Sequence, residues 1–238
     1  MNNKDKLEFL NKYTLTKGLT VDFLDIEDIE DNQIPETWRD IFREKEKKRK
    51  INKMLRIWEE YLGKELSNTI AYFREFLEDI ELMKIGNRIS VLYSVKSFQK
   101  GRILYYEGGN PKNIENKMPN ELKINWNKLS EKIRGFYSFV HNGFYYYPSK
   151  SMGLDKIENV THLDDYEWEV IEDLGISDVK LDLTTSYGFF SNGMGTYVVI
   201  DSDNCIDDTA TLWSSKNEPK YDLNFWDVVD EWLVIGFD

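Results

Sequence analysis

The chain contains 238 residues, a length that fits one large domain or a small domain with an extension. Hydrophobic residues make up 41% and aromatic residues 14%, so the composition excludes a disordered chain and predicts a globular protein. The net charge is −12, and every apolar run is shorter than the roughly 18 residues of a membrane-spanning helix, which predicts no membrane span.

Two features predict a cytoplasmic protein. The N-terminal sequence MNNKDKLEFLNKY mixes amides and charges where a secretory signal has a basic end followed by an apolar run. The single cysteine, Cys205, has no partner for an internal disulfide, as is typical of a reducing compartment.

The negative charge is concentrated near the C-terminus. Residues 1–100 contain 19 basic and 19 acidic residues, and residues 101–150 contain eight basic and four acidic ones. Residues 151–238 contain four basic and twenty acidic residues, a balance of −16. Such a field repels nucleic acid and anionic lipid and favours a basic protein partner. The alternative interpretation is an acidic surface that maintains solubility.

The first half of the chain is predicted to be mainly helical and to end in a hairpin. Apolar spacing predicts helices over 4–13, from Pro35 to Gly63 and over 66–83. TVDFLDI predicts a strand between the first two helices, and RISVLYSV with RILYYE predicts a hairpin. The basic cluster REKEKKRK, residues 43–50, is interpreted as a solvated helix face, because acids interrupt it and it lacks aromatic residues for base stacking.

Residues 107–120 are the best candidate for a linker, because Gly, Pro and Asn cluster there. This places a domain boundary between an N-terminal extension, 1–117, and a domain, 118–238. The second segment is predicted to contain a helix over 126–140 ended by Gly143, and a closing helix over 224–233. Four strands are predicted between those helices, near 144–147, 178–185, 195–200 and 208–213. This order predicts an α+β fold with an antiparallel or mixed sheet.

Catalytic and metal-binding motifs are weak, so the sequence predicts no enzyme, no metal and no cofactor. His141 is interpreted as a helix-capping residue and His162 as a surface histidine beside acids. The loop DSDNCIDDTATL, 201–212, begins like a calcium loop, but it has Ile206 and Leu212 where such loops need Gly and Glu. A loose calcium site and a metal-dependent hydrolase that uses the clustered carboxylates stay open as alternatives.

A series of short motifs carries a family resemblance. They are IRGFYSFVHNGFYYYPSKSMGL (133–154), HLDDYEWEV (162–170), NGMGTYVVIDSD (192–203), ATLWSS (210–215) and NFWDVVDEW (224–232). Together they resemble the SUKH superfamily, which includes yeast cell-wall synthesis regulators and many bacterial immunity proteins. The resemblance covers about residues 118–238. It implies an α+β fold, no enzymatic activity and direct binding of a toxin, with nucleases among the toxins, but it does not define the interface.

The sequence therefore predicts an immunity-type protein that occludes a basic toxin, and the alternative is a non-enzymatic regulatory scaffold. Charge density and loop position select eight acids as candidate contacts. Four aromatic residues are candidate anchors of the interface, and the alternative for them is a place in the core. The acids are Asp164, Asp165, Glu167, Glu169, Asp201, Asp203, Asp207 and Asp208, and the aromatic residues are Tyr145, Tyr146, Tyr147 and Trp168.

Overall fold

The computed structural model describes residues 3–14, 18–169, 171 and 179–238. Seven α-helices occur in these ranges: α1 (Asn3–Lys12), α2 (Glu36–Phe42), α3 (Lys47–Leu62), α4 (Ser67–Phe76), α5 (Asn120–Asn125), α6 (Glu131–Gly135) and α7 (Phe225–Phe237). Among the described helices, none is both long enough and apolar enough to cross a membrane.

The described strands form one eleven-stranded sheet. They are β1 (Val21–Phe23), β2 (Leu77–Ile85), β3 (Arg88–Lys96), β4 (Ile103–Gly109), β5 (Phe144–Tyr146), β6 (Ser151–Leu154), β7 (Thr161–His162), β8 (Ser186–Ser191), β9 (Thr196–Asp201), β10 (Thr209–Ser214) and β11 (Lys220–Asn224). Ten of them follow the chain order from β1 to β11, and β7 pairs separately with β8. All described pairs are antiparallel, so the predicted α+β class is confirmed.

The sheet continues across the predicted boundary at residue 117. Strand β4 pairs with β5 through Tyr106 with Tyr146 and through Gly108 with Phe144. The predicted linker, 107–120, therefore begins inside β4 rather than in a loop. The division into 1–117 and 118–238 stays a prediction, but both segments contribute strands to one sheet.

The main core lies between the sheet and helices α3, α4 and α7. Trp58 of α3 is fully buried, and its ring contacts Phe73 of α4 at 5.6 Å and Phe144 of β5 at 5.1 Å between centroids. The buried carboxylate of Asp230 in α7 accepts hydrogen bonds from the backbone nitrogens of Asn68 and Thr69 at the start of α4. This contact satisfies amide groups that a helix start leaves unpaired, and it joins α7, at the end of the chain, to the first half of the chain.

Two smaller clusters of buried apolar residues complete the core. Leu10 of α1 packs with Val21, Met83, Tyr105 and Tyr147. The second cluster contains Leu163, Trp168, Val199 and Trp213. The strands are therefore covered in several places by different segments of the chain.

The predicted helix over 66–83 is wrong in its second half. The helix ends at Phe76, and residues 77–85 form β2. The segment has buried apolar side chains at Leu77, Ile80, Leu82 and Met83. Over such a short window this spacing fits the apolar period of a helix as well as that of a strand. The segment forms a strand because it pairs with β3 along its length.

Two other predicted helices are interrupted. Residues 43–46 separate α2 from α3, and the Glu46 carboxylate caps α3 by accepting from the backbone nitrogens of Lys48 and Arg49. The helix predicted over 126–140 contains an extended residue at Leu129, then the capping Ser130, and it finishes as a π-helical turn over Phe136–Val140.

The strand predicted near 178–185 is also wrong within the described part. Residues Leu183–Thr185 form a 3₁₀ turn, and the Asp182 carboxylate accepts from the Thr184 backbone nitrogen at 2.9 Å. This local bond stabilises a turn instead of a strand. Strand β8 begins at Ser186, and residue 178 lies outside the described residues.

The basic cluster 43–50 is exposed along most of its length and is partly neutralised by acids. Lys47 and Lys50 both form ion pairs with Asp79 of β2, at 3.2 and 3.4 Å. Arg49 pairs with Glu46 at 3.5 Å. These pairs agree with the interpretation of the cluster as a solvated surface.

Candidate functional site

Three separate segments meet around Tyr187 of β8. The Tyr187 hydroxyl donates to the backbone oxygen of Glu121 at 3.0 Å and accepts from the Asn125 side chain at 2.8 Å. The His162 ring stacks on the Tyr187 ring at 5.1 Å. Helix α5, strand β7 and strand β8 are therefore held together by one side chain.

Two predicted acidic loops lie on either side of the 182–185 turn. The His162 ring contacts the Asp165 carboxylate at 3.3 Å and the Thr184 backbone oxygen at 2.9 Å. The hydroxyl of the next residue, Thr185, donates to Asp201 at 2.7 Å. The structure thus brings the loop after β7 and the loop after β9 to one region of the molecule.

The exposed acids of this region form what we call the acidic surface. It comprises Glu121, Asp164, Asp165, Glu167, Glu169, Asp182 and Asp203. Two of these acids, Glu121 and Asp182, are not among the contacts predicted from the sequence. Both are separated from the other acids along the chain. The sequence alone therefore does not show that they lie near those acids in the fold.

The predicted acids of 201–208 have different environments. Asp201 is 5% exposed and accepts from the Asp203 backbone nitrogen and the Asn204 side chain, so it shapes the loop. Asp203 is exposed and pairs with Lys128 at 2.5 Å. Asp207 is exposed, whereas Asp208 is partly enclosed, and burial raises the pKa of its carboxyl. A partner can therefore reach Asp203 and Asp207 more easily than Asp201.

The four predicted aromatic contacts are mostly core residues. Tyr145 and Tyr147 are 5% and 0% exposed, and Tyr146 is partly buried against Tyr106. Trp168 is 7% exposed, donates to the Leu163 backbone oxygen at 2.8 Å and packs edge-on against Trp213. Their large apolar areas are used to stabilise the fold.

Three other apolar side chains are exposed on the segments that carry the acidic surface. Tyr166 is 58% exposed, Ile206 is 76% exposed and Ile124 is 79% exposed. Each has a charged residue within two positions in the sequence. Exposed apolar groups surrounded by charge are typical of protein interfaces, whose contact energy is concentrated in a few apolar anchors.

The two histidines differ from the interpretation based on the sequence. His141 does not cap a helix with its side chain, because the ring is fully buried and contacts the Tyr93 hydroxyl at 2.7 Å. Burial lowers the pKa of His141 to about 3, so the ring is neutral at physiological pH. His162 lies beside Asp165 as expected, but its side chain is only 12% exposed.

Cys205 is partly buried, and burial together with the nearby Asp208 raises the pKa of its thiol. A thiol in this environment is a poor nucleophile. In the ranges that the structure describes, no three His, Cys, Asp or Glu residues are arranged to hold a metal ion.

The site is therefore an exposed, acidic and partly apolar surface on a hydrogen-bonded framework. No family model matches the chain, and comparisons with curated proteins and with solved structures found no match either.

Proposed function

We propose that this chain is an immunity-type protein that works in the cytoplasm and neutralises a cognate bacterial toxin by binding and occluding it. The observation that carries the proposal is the joining of several acidic segments around Tyr187, with exposed Tyr166, Ile124 and Ile206 on those segments. The resemblance of residues 118–238 to the SUKH superfamily supports the same function.

Preorganisation supports high affinity. The contacts of His162 with Thr184 and of Thr185 with Asp201 hold the two acidic loops in place before a partner arrives. A surface that is already ordered loses less conformational entropy on binding than a flexible one.

The negative charge of the acidic surface supports a basic toxin as the partner. Enzymes that act on nucleic acid carry basic surfaces, since they bind phosphate, so a nuclease toxin would be complementary to the acidic surface. Complementary fields accelerate association by about 10- to 1000-fold at low salt. The alternative function is a regulatory scaffold, in which the same surface would bind several proteins without inhibiting them.

The test is co-expression with the toxin encoded by the adjacent upstream gene. We expect the wild-type chain to restore growth and to bind the toxin. A variant with Asp164, Asp165, Glu167 and Glu169 changed to Lys should bind at least about tenfold more weakly at low salt and should show a smaller salt dependence.

The matched control changes Glu8, Asp22, Glu27 and Glu30 to Lys, because these exposed acids lie in the neutral N-terminal region and give the same change of charge. Equal loss of affinity in both variants would show that net charge, rather than the acidic surface, controls binding. Failure to restore growth, with several other proteins bound, would favour the scaffold.

A further inference from the structure

Outside the set of residues that forms the acidic surface, three cations surround one buried carboxylate. Glu107 is 1% exposed, and Lys156 Nζ donates to its Oε1 at 2.9 Å. Lys150 Nζ lies 3.7 Å from Oε2, and the positive charge of Arg88 also acts on this carboxylate. The cluster therefore has a surplus of positive charge inside a chain whose net charge is −12.

The environment of the Lys150 amine is incomplete. Its buried Nζ makes no hydrogen bond to any group in the described part of the chain, and it lies 3.2 Å from the centroid of the Tyr147 ring. Burial lowers the pKa of this amine to about 8. A buried cation without a hydrogen-bond acceptor is costly, and the aromatic face compensates for part of that cost.

A cleft of about 190 Å³ lies beside this amine. Its lining includes Arg88, Lys150, Lys156, Thr14 and Asp155. A water molecule occupies about 30 Å³ in the liquid, so the cleft has room for a phosphate or carboxylate group and part of the molecule that carries it. Burial raises the pKa of Asp155 to about 8, so its carboxyl is mainly protonated at neutral pH and adds little opposing charge.

We propose that this cleft binds a small oxyanion, the phosphate or carboxylate group of a small molecule, between Lys150 and Arg88. Lys150 Nζ, which is buried and has no acceptor within hydrogen-bond distance among the described residues, turns from the Tyr147 ring toward the cleft and donates to the anion. Arg88 is an exposed residue at the cleft, and its guanidinium supplies the paired donors that suit planar or tetrahedral oxyanions. The ligand also offsets the repulsion among the three cations.

The test is calorimetric titration of the full chain at neutral pH and low ionic strength, first with inorganic phosphate and then with acetate. We expect saturable binding with one site per chain and a rise of the melting temperature with ligand. Tighter binding of phosphate would identify a phosphate ligand, and tighter binding of acetate would identify a carboxylate. Lys150→Met and Arg88→Met should each weaken binding by about tenfold or more.

Lys64→Met is the matched control, because Lys64 is an exposed lysine in the turn between α3 and α4. It should bind the anion as the wild type does. Binding of neither anion by the wild type would overturn the proposal, and so would equal losses in Lys64→Met and Lys150→Met. If Lys150→Met does not fold, the anion affinity of Arg88→Met tests the proposed site, because Arg88 is exposed and its removal leaves the core intact.

Discussion

Glu107 illustrates how one residue acquires its properties from the fold. In the sequence it begins a segment rich in Gly, Pro and Asn, a composition that predicts a linker. In the structure it lies inside β4 and its carboxylate is buried against Lys156. Burial alone would raise the pKa of Glu107, but the nearby Lys156 and Lys150 outweigh it and lower the pKa to about 2.

This depressed pKa predicts a specific dependence of stability on pH. The contribution of ionised Glu107 is present above its ordinary pKa of 4.5 and is lost as pH falls toward 2, because the folded state then has to accept a proton that it binds poorly. Glu107→Gln leaves Lys156 without its charge partner and should reduce the free energy of unfolding at pH 7 by about 3 kcal/mol. Urea unfolding measures the effect.

The difference between wild type and Glu107→Gln should shrink as pH is lowered from 4.5 toward 2, since the wild-type carboxylate becomes neutral as well. A difference that stays constant over this range would contradict the ion-pair explanation. The double variant Glu107→Met with Lys156→Met is the control, and it should recover part of the lost stability because it removes both members of the 2.9 Å pair together, although Lys150 then also lacks the carboxylate.

At the scale of elements, the Asn142–Gly143 pair joins β4 to the segment after β6. The Asn142 backbone nitrogen donates to the Gly109 backbone oxygen at 2.9 Å. Its side chain accepts from the Ile157 backbone nitrogen and donates to the Glu158 carboxylate, both at 2.8 Å. The sequence predicts that Gly143 ends a helix, and the structure adds that this turn aligns three segments.

Gly143 has a φ of +79°, and a Cβ at this position would lie 2.7 Å from the Lys156 backbone nitrogen. Gly143→Ala should therefore lower the free energy of unfolding by about 2–4 kcal/mol, through backbone strain and through displacement of the facing segment. Gly101→Ala is the matched control, since Gly101 has a φ of +65° and, among the described residues beyond its chain neighbours, no atom lies within 4 Å of the place that an alanine methyl group would occupy.

Chemical denaturation of both variants separates the two causes. Gly101→Ala should show the cost of the positive φ alone, about 1 kcal/mol. Equal destabilisation by the two substitutions would mean that the close contact with residue 156 has no energetic consequence.

At the scale of the whole molecule, the sheet and the main core include both predicted segments. Strand β5 is paired on one side with β4, and Trp58 of α3 contacts Phe144 of β5. Asp230 of α7 also caps α4 through Asn68 and Thr69. A break at residue 117 would expose this shared core and leave an unpaired strand edge.

We therefore expect the fragment 118–238 to lack a cooperative thermal transition when it is expressed alone. Co-expression with the fragment 1–117 should restore a complex with such a transition, because the buried surfaces of the fragments are complementary. Circular dichroism and size-exclusion chromatography measure both outcomes. A stable fragment 118–238 would support the domain boundary predicted from the sequence.

Local patterns in the sequence are sufficient to predict the α+β class, the hairpin of β3 and β4, the closing helix and the concentration of acids after residue 150, because these depend on periodicity, turn residues and composition. Long-range pairing and burial control the remaining properties, so the sequence alone could not show that residues 77–85 form a strand or that Asp201 is buried while Asp203 is exposed. The gathering of the acidic loops around Tyr187 and of three cations around Glu107 has the same origin, since these groups are distant along the chain and become neighbours when the sheet forms.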